Sequence, residues 1–485
     1  MRPKFELLDR TLLERIEVEA FQLLTTPGVR IAPCAYELLS EAGATVKDGV
    51  ARIPEDLARK CLASAPREFH LYSRDGQPAV HYGGDDVHFD PGSSCLNILD
   101  SVTGEARPAL ASDLVRLVQV TEMLPEYAAQ STAVICNDVP QDAGDWYRLL
   151  LVLWHSAKPV VTGAFSAAGL KTMLSLLLID AGSEEALRKA PRTVFDVCPS
   201  PPLNWSEFAS QNLIDLARAG VPAEIISMPM AGATAPVTLA GSVVQHTAEC
   251  ISGIVIHQLE NPGAPVVWGG APSIFDMSTG MTPMGSIETA MLDVACSQVG
   301  KHFGLPTHGY LGSSDGKFFD AQAGMESGIA IALGALAGIN MISGAGMLDF
   351  LACHSLEKLV FDAEAIASLK RLIQGIEPHG DSLATAMFAL TGLSGNFLKL
   401  RETRALLRAE QHFPSAVIDR GGLGSGDNIA ARLRQRTDEL MAAYRHPAMG
   451  SDRQEALLAF ARRQGEKMGL AGLPGIPHEE VAAHL

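Results

Sequence analysis

Short apolar segments alternate with long helical segments from about residue 88 onward. Strands that are almost entirely apolar and separated by helices are typical of a parallel sheet that helices cover on the outside. A count of eight such segments favours a closed (β/α)8 barrel, the TIM barrel of the α/β class, over an open doubly wound sheet. The predicted strands lie at residues 88–91, 131–136, 159–162, 193–198, 224–228, 265–268, 307–311 and 340–343.

Two other regions flank the predicted barrel, which we place at residues 87–390. Residues 1–86 are predicted to hold helices followed by a β-hairpin, because Pro54, Glu55 and Asp56 suit the first turn of a helix and residues 68–89 alternate between apolar and polar. Residues 391–485 lack strand patterns and read as charged helices, so a C-terminal helical extension is expected.

The carboxyl ends of the eight predicted strands carry almost only Gly, Pro, Ala and Ser. The clearest case is the segment 306–349, where one strand ends in GSSD at residues 312–315 and the next ends in GAG at residues 344–346. Such residues form tight turns and let a ligand approach the backbone. Because TIM barrels place their active sites at this end, we predict a wide mouth lined by small residues. The need for turns explains part of the same bias.

The amino-acid composition limits which classes of binding partner are expected. The net charge of −17 and pI near 5.3 leave no broad basic surface, so nucleic acid and anionic membranes are not expected partners. The N-terminal residues show no apolar signal segment, which favours a cytoplasmic protein. The uncharged stretch 328–348 is long enough to span a bilayer, but it contains five glycines and changes from helical to strand character, so no membrane span is expected.

Several common catalytic motifs are missing from the sequence. The eight cysteines form no CxxC pair, so we expect no bound metal. Residues 312–316 read GSSDG and so have the GxSxG spacing, but no GxGxxG motif follows a strand, and residues 312–317 are one residue short of a phosphate-binding loop. Nucleotide hydrolysis and nicotinamide chemistry therefore lose support.

Several blocks of the sequence, in order and without large gaps, resemble the trimethylamine methyltransferase family of corrinoid-dependent enzymes. The blocks are RIPEDLARKCLASAPREFHLYSRDG at 52–76, ILDSVTGEARPALASDLVRL at 98–117, PMAGATAPVTLAGSVVQHTAE at 229–249, DAQAGMESG at 320–328 and GAGMLD at 344–349. The resemblance implies a (β/α)8 barrel. It also implies methyl transfer from an amine to the Co(I) of a corrinoid, a cobalamin-type cofactor carried by a cognate partner protein. A homo-oligomer is expected as well.

The chain shows only standard residues, whereas the trimethylamine enzymes that typify the family carry pyrrolysine. It therefore resembles the non-pyrrolysine branch, whose members act on quaternary amines such as glycine betaine. A quaternary ammonium leaves as a neutral tertiary amine, so it needs no prior activation. Two alternatives stay open: a methyltransferase for another methylated amine of the trimethylamine type, and a non-catalytic barrel that binds a betaine.

A quaternary ammonium favours aromatic faces because it cannot donate a strong hydrogen bond. Aromatic and polar residues near the strand ends are therefore the candidates for substrate binding, although core packing explains the aromatic residues equally well. The predicted substrate-binding residues are Phe165, Asn204, Trp205, Trp268, Tyr310, Gln322 and His354.

Three residues are candidates for catalysis: His308, Asp315 and Asp349. His308 and Tyr310 should point the same way, since alternate residues of a strand share one face. The alternatives are a core role for His308 and helix capping for the two aspartates. The small residues at the strand ends are predicted to contact the corrinoid, and they are Gly270, Gly312, Ser313, Ser314, Gly344 and Gly346.

Overall fold

A computed structural model describes residues 3–422, 426–470 and 472–476. The remaining residues of the predicted C-terminal extension, 423–425, 471 and 477–485, lie outside the described residues. Eight parallel strands form the centre, and they occur where the sequence predicts them. Their bounds are β1 His88–Pro91, β2 Gln130–Ser131, β3 Val160–Gly163, β4 Thr193–Val197, β5 Ala223–Ser227, β6 Val266–Gly270, β7 His308–Tyr310 and β8 Met341–Ala345.

The strands follow chain order around the barrel. Strands β2 to β6 form one parallel sheet, and β7, β8 and β1 form a second. Backbone hydrogen bonds connect the two sheets at both edges: Trp268 N donates to Pro306 O at 2.8 Å, and Ala128 N donates to Phe89 O at 2.9 Å. The α/β TIM-barrel prediction is confirmed.

Strand β2 is shorter than the predicted 131–136. Beyond Ser131 the chain leaves β3 and runs beside the loop that follows β1, where Val134 bridges to Cys95 and Ile135 N donates to Cys95 O at 2.8 Å. The apolar segment 131–136 is therefore continuous in sequence, but only Ser131 belongs to β2, and Val134 pairs with the loop that follows β1.

Helices cover the barrel and flank it at both ends. The N-terminal region holds α1 Arg10–Thr25, α2 Tyr36–Glu41 and α3 Glu55–Ser64 with short strands Val29–Arg30, Thr45–Lys47 and Val50–Arg52. The helices around the barrel are α4 Ala111–Met123, α5 Gly144–His155, α6 Ala167–Ala181, α7 Glu184–Lys189, α8 Glu207–Ala219, α9 Leu239–Glu260, α10 Ile287–His302, α11 Ala321–Ala337 and α12 Leu356–Gln374. Those that follow are α13 Thr385–Thr391, α14 Arg401–Glu410, α15 Ile429–Ala443 and α16 Ser451–Lys467.

A hairpin of strands Phe69–Tyr72 and Pro78–Tyr82 closes the amino-terminal end of the barrel. Its apolar side chains pack on inward-facing residues of the barrel strands, which form one buried cluster: Leu71, Val80, Tyr82, Ala129, Val161, Val194, Val267 and Met341. This closure leaves the carboxyl ends of the strands as the open end of the barrel.

The mouth carries short strands of its own. Asn97–Leu99 and Ala106–Pro108 form a sheet with Met347–Leu348 and Cys353–His354, and Met230–Ala231 pairs with Ser273–Ile274. These strands connect the loops after β1 and β8 and the loops after β5 and β6.

Within the described ranges, one helix is long and apolar enough to cross a bilayer, namely α9. It packs between other helices, with 83% of its most apolar window buried. The uncharged stretch 328–348 divides into the end of α11, a Gly338 cap in the left-handed region and strand β8, as the sequence indicates.

Candidate active site

Six polar residues from five barrel strands point into the barrel. The side chain of Glu224 on β5 lies 4.0 Å from the ring of His308 on β7. Strand β6 separates these two strands, so the two side chains can meet only if both face the interior of the barrel. Alternation along β7 then places Tyr310 on the same side as His308, and their ring centroids are 5.4 Å apart. We call this set the lumen cluster, and its members are Asp90, Asp196, Glu224, His308, Tyr310 and Ser343.

Hydrogen bonds connect part of the lumen cluster. Ser343 Oγ donates to Asp90 Oδ1 at 2.5 Å, and the hydroxyl of Tyr82 donates to Glu224 Oε1 at 2.6 Å. His308 Nε2 lies 2.8 Å from Ser343 Oγ. Because the serine proton goes to Asp90, Nε2 carries the histidine proton and Nδ1 is left as an acceptor.

Burial governs the charge of the lumen cluster. It raises the pKa of Asp90 and Glu224 well above the usual range, with the negative charge of Asp196 adding to the effect on Glu224. Burial raises the pKa of Asp196 to about 6 and lowers the pKa of His308 to about 3. At neutral pH, Asp196 is therefore ionised while Asp90, Glu224 and His308 are neutral.

Two buried polar atoms of the lumen cluster have no hydrogen-bond partner, Asp90 Oδ2 and His308 Nδ1, whereas the protonated carboxyl group of Glu224 shares a hydrogen bond with the carboxylate of Asp196. In the part of the chain that the structure describes, no lysine or arginine forms an ion pair with the three carboxyl groups. Buried carboxyl groups are normally paired with a cation or hydrogen-bonded. This arrangement can accept a cation that the protein itself does not supply.

The other two predicted catalytic residues lie in the loops after β7 and β8. Asp315 accepts hydrogen bonds from Met284 N at 2.8 Å and Gly285 N at 3.0 Å, and burial raises its pKa to about 6. Asp349 forms an ion pair with Lys317 at 2.7 Å and has a φ of 51° in the left-handed region. Both aspartates hold loops together at the mouth, and His308 alone of the three lies in the lumen cluster.

The predicted aromatic residues separate into three environments. Tyr310 lies in the lumen and is 8% exposed. Trp205 and Trp268 are buried among the helices outside the strands, where their indole N–H groups donate to Ser252 Oγ at 2.8 Å and Cys296 O at 3.0 Å. Phe165 lies at the mouth with its ring over the guanidinium of Arg148.

The three predicted polar residues also lie apart from the lumen cluster. Asn204 contributes its backbone to a bridge with Arg30, and Gln322 donates to Glu326 Oε1 at 2.9 Å on the surface of α11. His354 is fully buried beneath Gly346, and its ring nitrogens have no hydrogen-bond partner.

The small residues at the strand ends bring two loops into contact. A Cβ on Gly312 would lie 2.6 Å from Ala345 N, and Gly344 and Gly346 have φ angles of 108° and 84°. Gly270 accommodates the His246 ring in the same way. Ser314 Oγ donates to Glu326 Oε2 at 2.6 Å, and Ser313 Oγ is buried without a partner.

A buried ion pair lies beneath these loops. Lys358 Nζ is 2.6 Å from Asp362 Oδ2 and donates to Gly312 O at 2.9 Å, while Gly346 N donates to Asp362 Oδ2 at 2.8 Å. Both charged side chains are fully buried. We call Lys358 and Asp362 the loop pair, because they hold the loops after β7 and β8 in place.

The mouth is surrounded by exposed apolar side chains. They come from the loops after five different barrel strands and form an incomplete ring around the lumen. We call them the rim: Leu96, Phe165, Met228, Val237, Met277 and Phe318.

Sequence reasoning missed four members of the lumen cluster. Asp90, Asp196 and Glu224 each stand between two apolar residues of a buried strand, and Ser343 lies on β8. The signal that could have found them is a carboxyl residue at an inward position of a buried strand. A buried carboxyl group at such a position destabilises the fold, so its presence there indicates a functional role.

Comparisons with known proteins agree with this fold. The profile of the family described as trimethylamine methyltransferase (MTTB) matches residues 1–469. The trimethylamine methyltransferase MttB2 of Methanosarcina mazei is 33% identical over 460 residues, covering 91% of each chain. A glycine betaine methyltransferase of Desulfitobacterium hafniense is 27% identical over 474 residues, covering 96% of this chain and 98% of the relative.

Among solved structures, the monomethylamine methyltransferase MtmB of Methanosarcina barkeri is similar with a TM-score of 0.51. It is 11% identical in sequence, and the similarity covers 97% of this chain and 90% of that one. At this identity the likeness concerns the fold alone.

Proposed function

The chain belongs to the trimethylamine methyltransferase family and is a methyltransferase, and from this premise we propose that it demethylates a quaternary amine such as glycine betaine. The methyl group passes to a corrinoid that a separate protein carries. The observation that carries this proposal is the lumen cluster, in which three carboxyl groups face one another without a protein cation. A positively charged methyl donor supplies the missing charge.

The leaving group favours a quaternary amine over a neutral one. When a nucleophile takes a methyl group from a quaternary ammonium, the product is a neutral tertiary amine, and no proton has to be delivered. The carboxyl groups and His308 then act by position and field, so the reaction requires no triad of nucleophile, base and acid. Tyr310 can place its aromatic face against the cation inside the barrel.

The weak charge of the lumen cluster suits this reaction. Positive charge on nitrogen disappears as the methyl group leaves, so a strongly anionic site would stabilise the substrate more than the transition state. Only Asp196 is ionised at neutral pH, while Asp90 and Glu224 keep their protons. One carboxylate attracts the substrate, and the otherwise neutral, buried surroundings favour loss of charge.

The rim fits a partner that presents a corrinoid at the mouth. A corrinoid supplies a reduced cobalt centre that accepts a methyl group, and its ring offers a broad apolar face. Exposed apolar residues such as Phe165, Met277 and Phe318 are suited to contact that face or the protein around it. The glycines and alanines at the ends of β6 and β8 add no bulky side chain inside the rim, and they are Gly270, Ala271, Gly344, Ala345 and Gly346.

A protonated tertiary amine is the second candidate substrate. The relatives named as trimethylamine methyltransferases, at 31–35% identity, are more similar to this chain than the relative named for glycine betaine, at 27%. The acceptor His308 Nδ1 could also receive an N–H that a quaternary ammonium lacks.

Formation of methylcobalamin from Co(I) cobalamin tests the proposal. The panel of donors is glycine betaine, proline betaine, carnitine, choline and trimethylamine, and the tertiary amine product is followed by NMR. We expect one quaternary donor to react while trimethylamine stays inert. Turnover of trimethylamine would support the second candidate instead. Binding of a betaine without methyl transfer, even with the cognate corrinoid protein, would show a non-catalytic barrel.

A further inference from the structure

A cavity lined by three arginines lies at the end of the barrel opposite the mouth. Its volume is about 140 Å³, and helices α6 and α7 form much of its wall. Arg74 stands in the turn of the hairpin, Arg453 lies on α16, and Arg192 directly precedes β4. The position of Arg192 places the cavity at the amino-terminal end of the strands, away from the rim. We call these three residues the arginine cluster.

Backbone carbonyl groups hold two of the arginines in place. Arg74 Nη2 donates to Ser156 O at 2.7 Å and also to Leu153 O, and Arg74 Nη1 donates to Pro447 O at 3.2 Å. Arg192 Nη2 lies 3.4 Å from the carbonyl oxygens of residues 156–158. Carbonyl groups orient a guanidinium but carry no net charge. Both groups are therefore oriented in advance, and these contacts leave their positive charge in place.

One carboxylate balances part of this positive charge. Asp180 Oδ2 accepts from Arg192 Nη1, while Asp180 Oδ1 lies 3.8 Å from Arg453 Nη1, which is too far for a hydrogen bond. Glu122 lies near Arg74 as well, but it bonds to the segment before β3 and does not line the cavity. Among the described residues, the lining therefore carries three positive charges and one negative charge.

The excess of positive charge coincides with missing hydrogen bonds. Burial lowers the pKa of Arg74 to about 10, and the charges of Arg192 and Arg453 add to this effect. Arg192 is only 8% exposed. In the part of the chain that the structure describes, neither Arg192 Nε nor Arg74 Nε has a hydrogen-bond partner. Buried N–H groups of this kind normally have an acceptor, and an anion in the cavity would supply acceptors together with the missing charge.

We propose that the arginine cluster binds a phosphate group, either as inorganic phosphate or as a small phosphate monoester. A phosphate group at neutral pH carries a charge of about −1.5 to −2, which is close to the excess charge of the lining. Its oxygens accept the paired N–H groups that a guanidinium presents, and the cavity has room for an anion of this size. The bound phosphate connects the hairpin, the base of β4 and α16.

Isothermal titration calorimetry with inorganic phosphate, at neutral pH and constant ionic strength, tests the proposal. The wild-type protein should bind one phosphate per chain with a dissociation constant of about 1 mM or lower. Acetate, which has one charge and a planar shape, should bind at least about tenfold more weakly. Glycerol 3-phosphate separates the two sources of the group, because tighter binding than inorganic phosphate would identify a monoester as the ligand.

Two variants should change the affinity for phosphate in opposite directions. Arg453→Gln removes a partly exposed cation and should weaken binding at least about tenfold, whereas Asp180→Asn removes the competing carboxylate and should tighten binding about threefold or more. The matched control Arg463→Gln makes the first change at an exposed position of α16 outside the cavity, and it should bind as the wild type does. A purely structural arginine cluster gives no gain of affinity in Asp180→Asn.

Thermal unfolding provides a second readout. About 20 mM phosphate should raise the unfolding midpoint of the wild type by at least about 1 °C, and Arg453→Gln should show a smaller increase than Arg463→Gln. This comparison removes the general stabilisation that phosphate gives by exclusion from protein surfaces. A wild type that binds no phosphate, or an unchanged affinity in Arg453→Gln, would overturn the proposal. Neither measurement uses methyl transfer, so the result is independent of the methyl donor.

Discussion

Two buried polar groups of the barrel differ in how their charge is balanced. The loop pair combines one cation and one anion, and each also bonds to the backbone of a neighbouring loop. The lumen cluster combines three carboxyl groups with neutral partners: Glu224 and Asp196 share one proton, and Asp90 Oδ2 and His308 Nδ1 have no hydrogen-bond partner. The first group is electrostatically complete within the protein, whereas the second lacks a cation.

This difference separates a structural role from a functional one. Burying an ion pair costs free energy that its mutual attraction offsets only when geometry is good. The loop pair has a short contact and two backbone hydrogen bonds that fix the mouth, and only Asp362 Oδ1 is buried without a partner. Burying three carboxyl groups, one of them ionised, without a cation offers the fold nothing in return. The lumen cluster therefore persists at the expense of stability, as is common for sites that bind or react.

The largest effect should follow from breaking the loop pair. Lys358→Met leaves Asp362 buried without its cation, and it also removes the donor to Gly312 O. We expect the free energy of unfolding to fall by about 3–5 kcal/mol. Urea denaturation measures this loss.

The double variant Lys358→Met and Asp362→Leu serves as the control. It removes both charges, so it should recover more than half of the lost stability. A single variant that loses less than about 1 kcal/mol would mean that Asp362 accepts a proton without cost and that the pair does not hold the loops.

A change in the lumen cluster should lower activity without lowering stability. Asp196→Asn removes the carboxylate that is ionised at neutral pH, so kcat/KM for the methyl donor should fall roughly 30- to 100-fold, or about 2–3 kcal/mol. The unfolding midpoint should stay the same or rise, because a buried carboxylate with a raised pKa opposes folding at neutral pH. A wild-type rate in this variant would remove Asp196 from the site.

The pH dependence of methyl-donor binding tests the charge that we assign to Asp196. With the pKa of Asp196 at about 6 in the free protein, a cation binds the ionised form more tightly. The dissociation constant should therefore fall as pH rises toward 6 and level off above it, with a proton released on binding below pH 6. Calorimetry between pH 5 and 8 measures this, and Asp196→Asn should give a flat profile. A profile that is flat in the wild type would contradict the charge assignment.

Sequence patterns predict the barrel well because hydrophobic periodicity is local. Each strand is a short apolar run, and its place in the chain is enough to order it around the barrel. The lumen cluster is not local. Asp90, Asp196 and Glu224 are far apart in sequence, and only closure of the barrel brings them together.

The sequence also does not show which face of each strand points into the barrel. Trp268 ends the predicted strand 265–268, and this position makes it a candidate for the site. In the structure it is the middle residue of β6, and its neighbours Val267 and Gly269 are the residues on the inward face. A shift of one residue along a strand exchanges the two faces. His308 and Tyr310 could be predicted to share a face from their spacing, whereas which face that was depended on the tertiary structure.

The smallest expected effect concerns the aromatic face in the lumen. Tyr310→Phe keeps the ring, so the KM for a quaternary donor should stay within about threefold of the wild-type value, whereas Tyr310→Leu should raise it roughly 5- to 30-fold, or about 1–2 kcal/mol. Steady-state kinetics with the donor that reacts in the cobalamin assay measure both. Equal losses in the two variants would mean that the hydroxyl acts within the lumen cluster, and the cation would then be held by the carboxyl groups without a contribution from the ring.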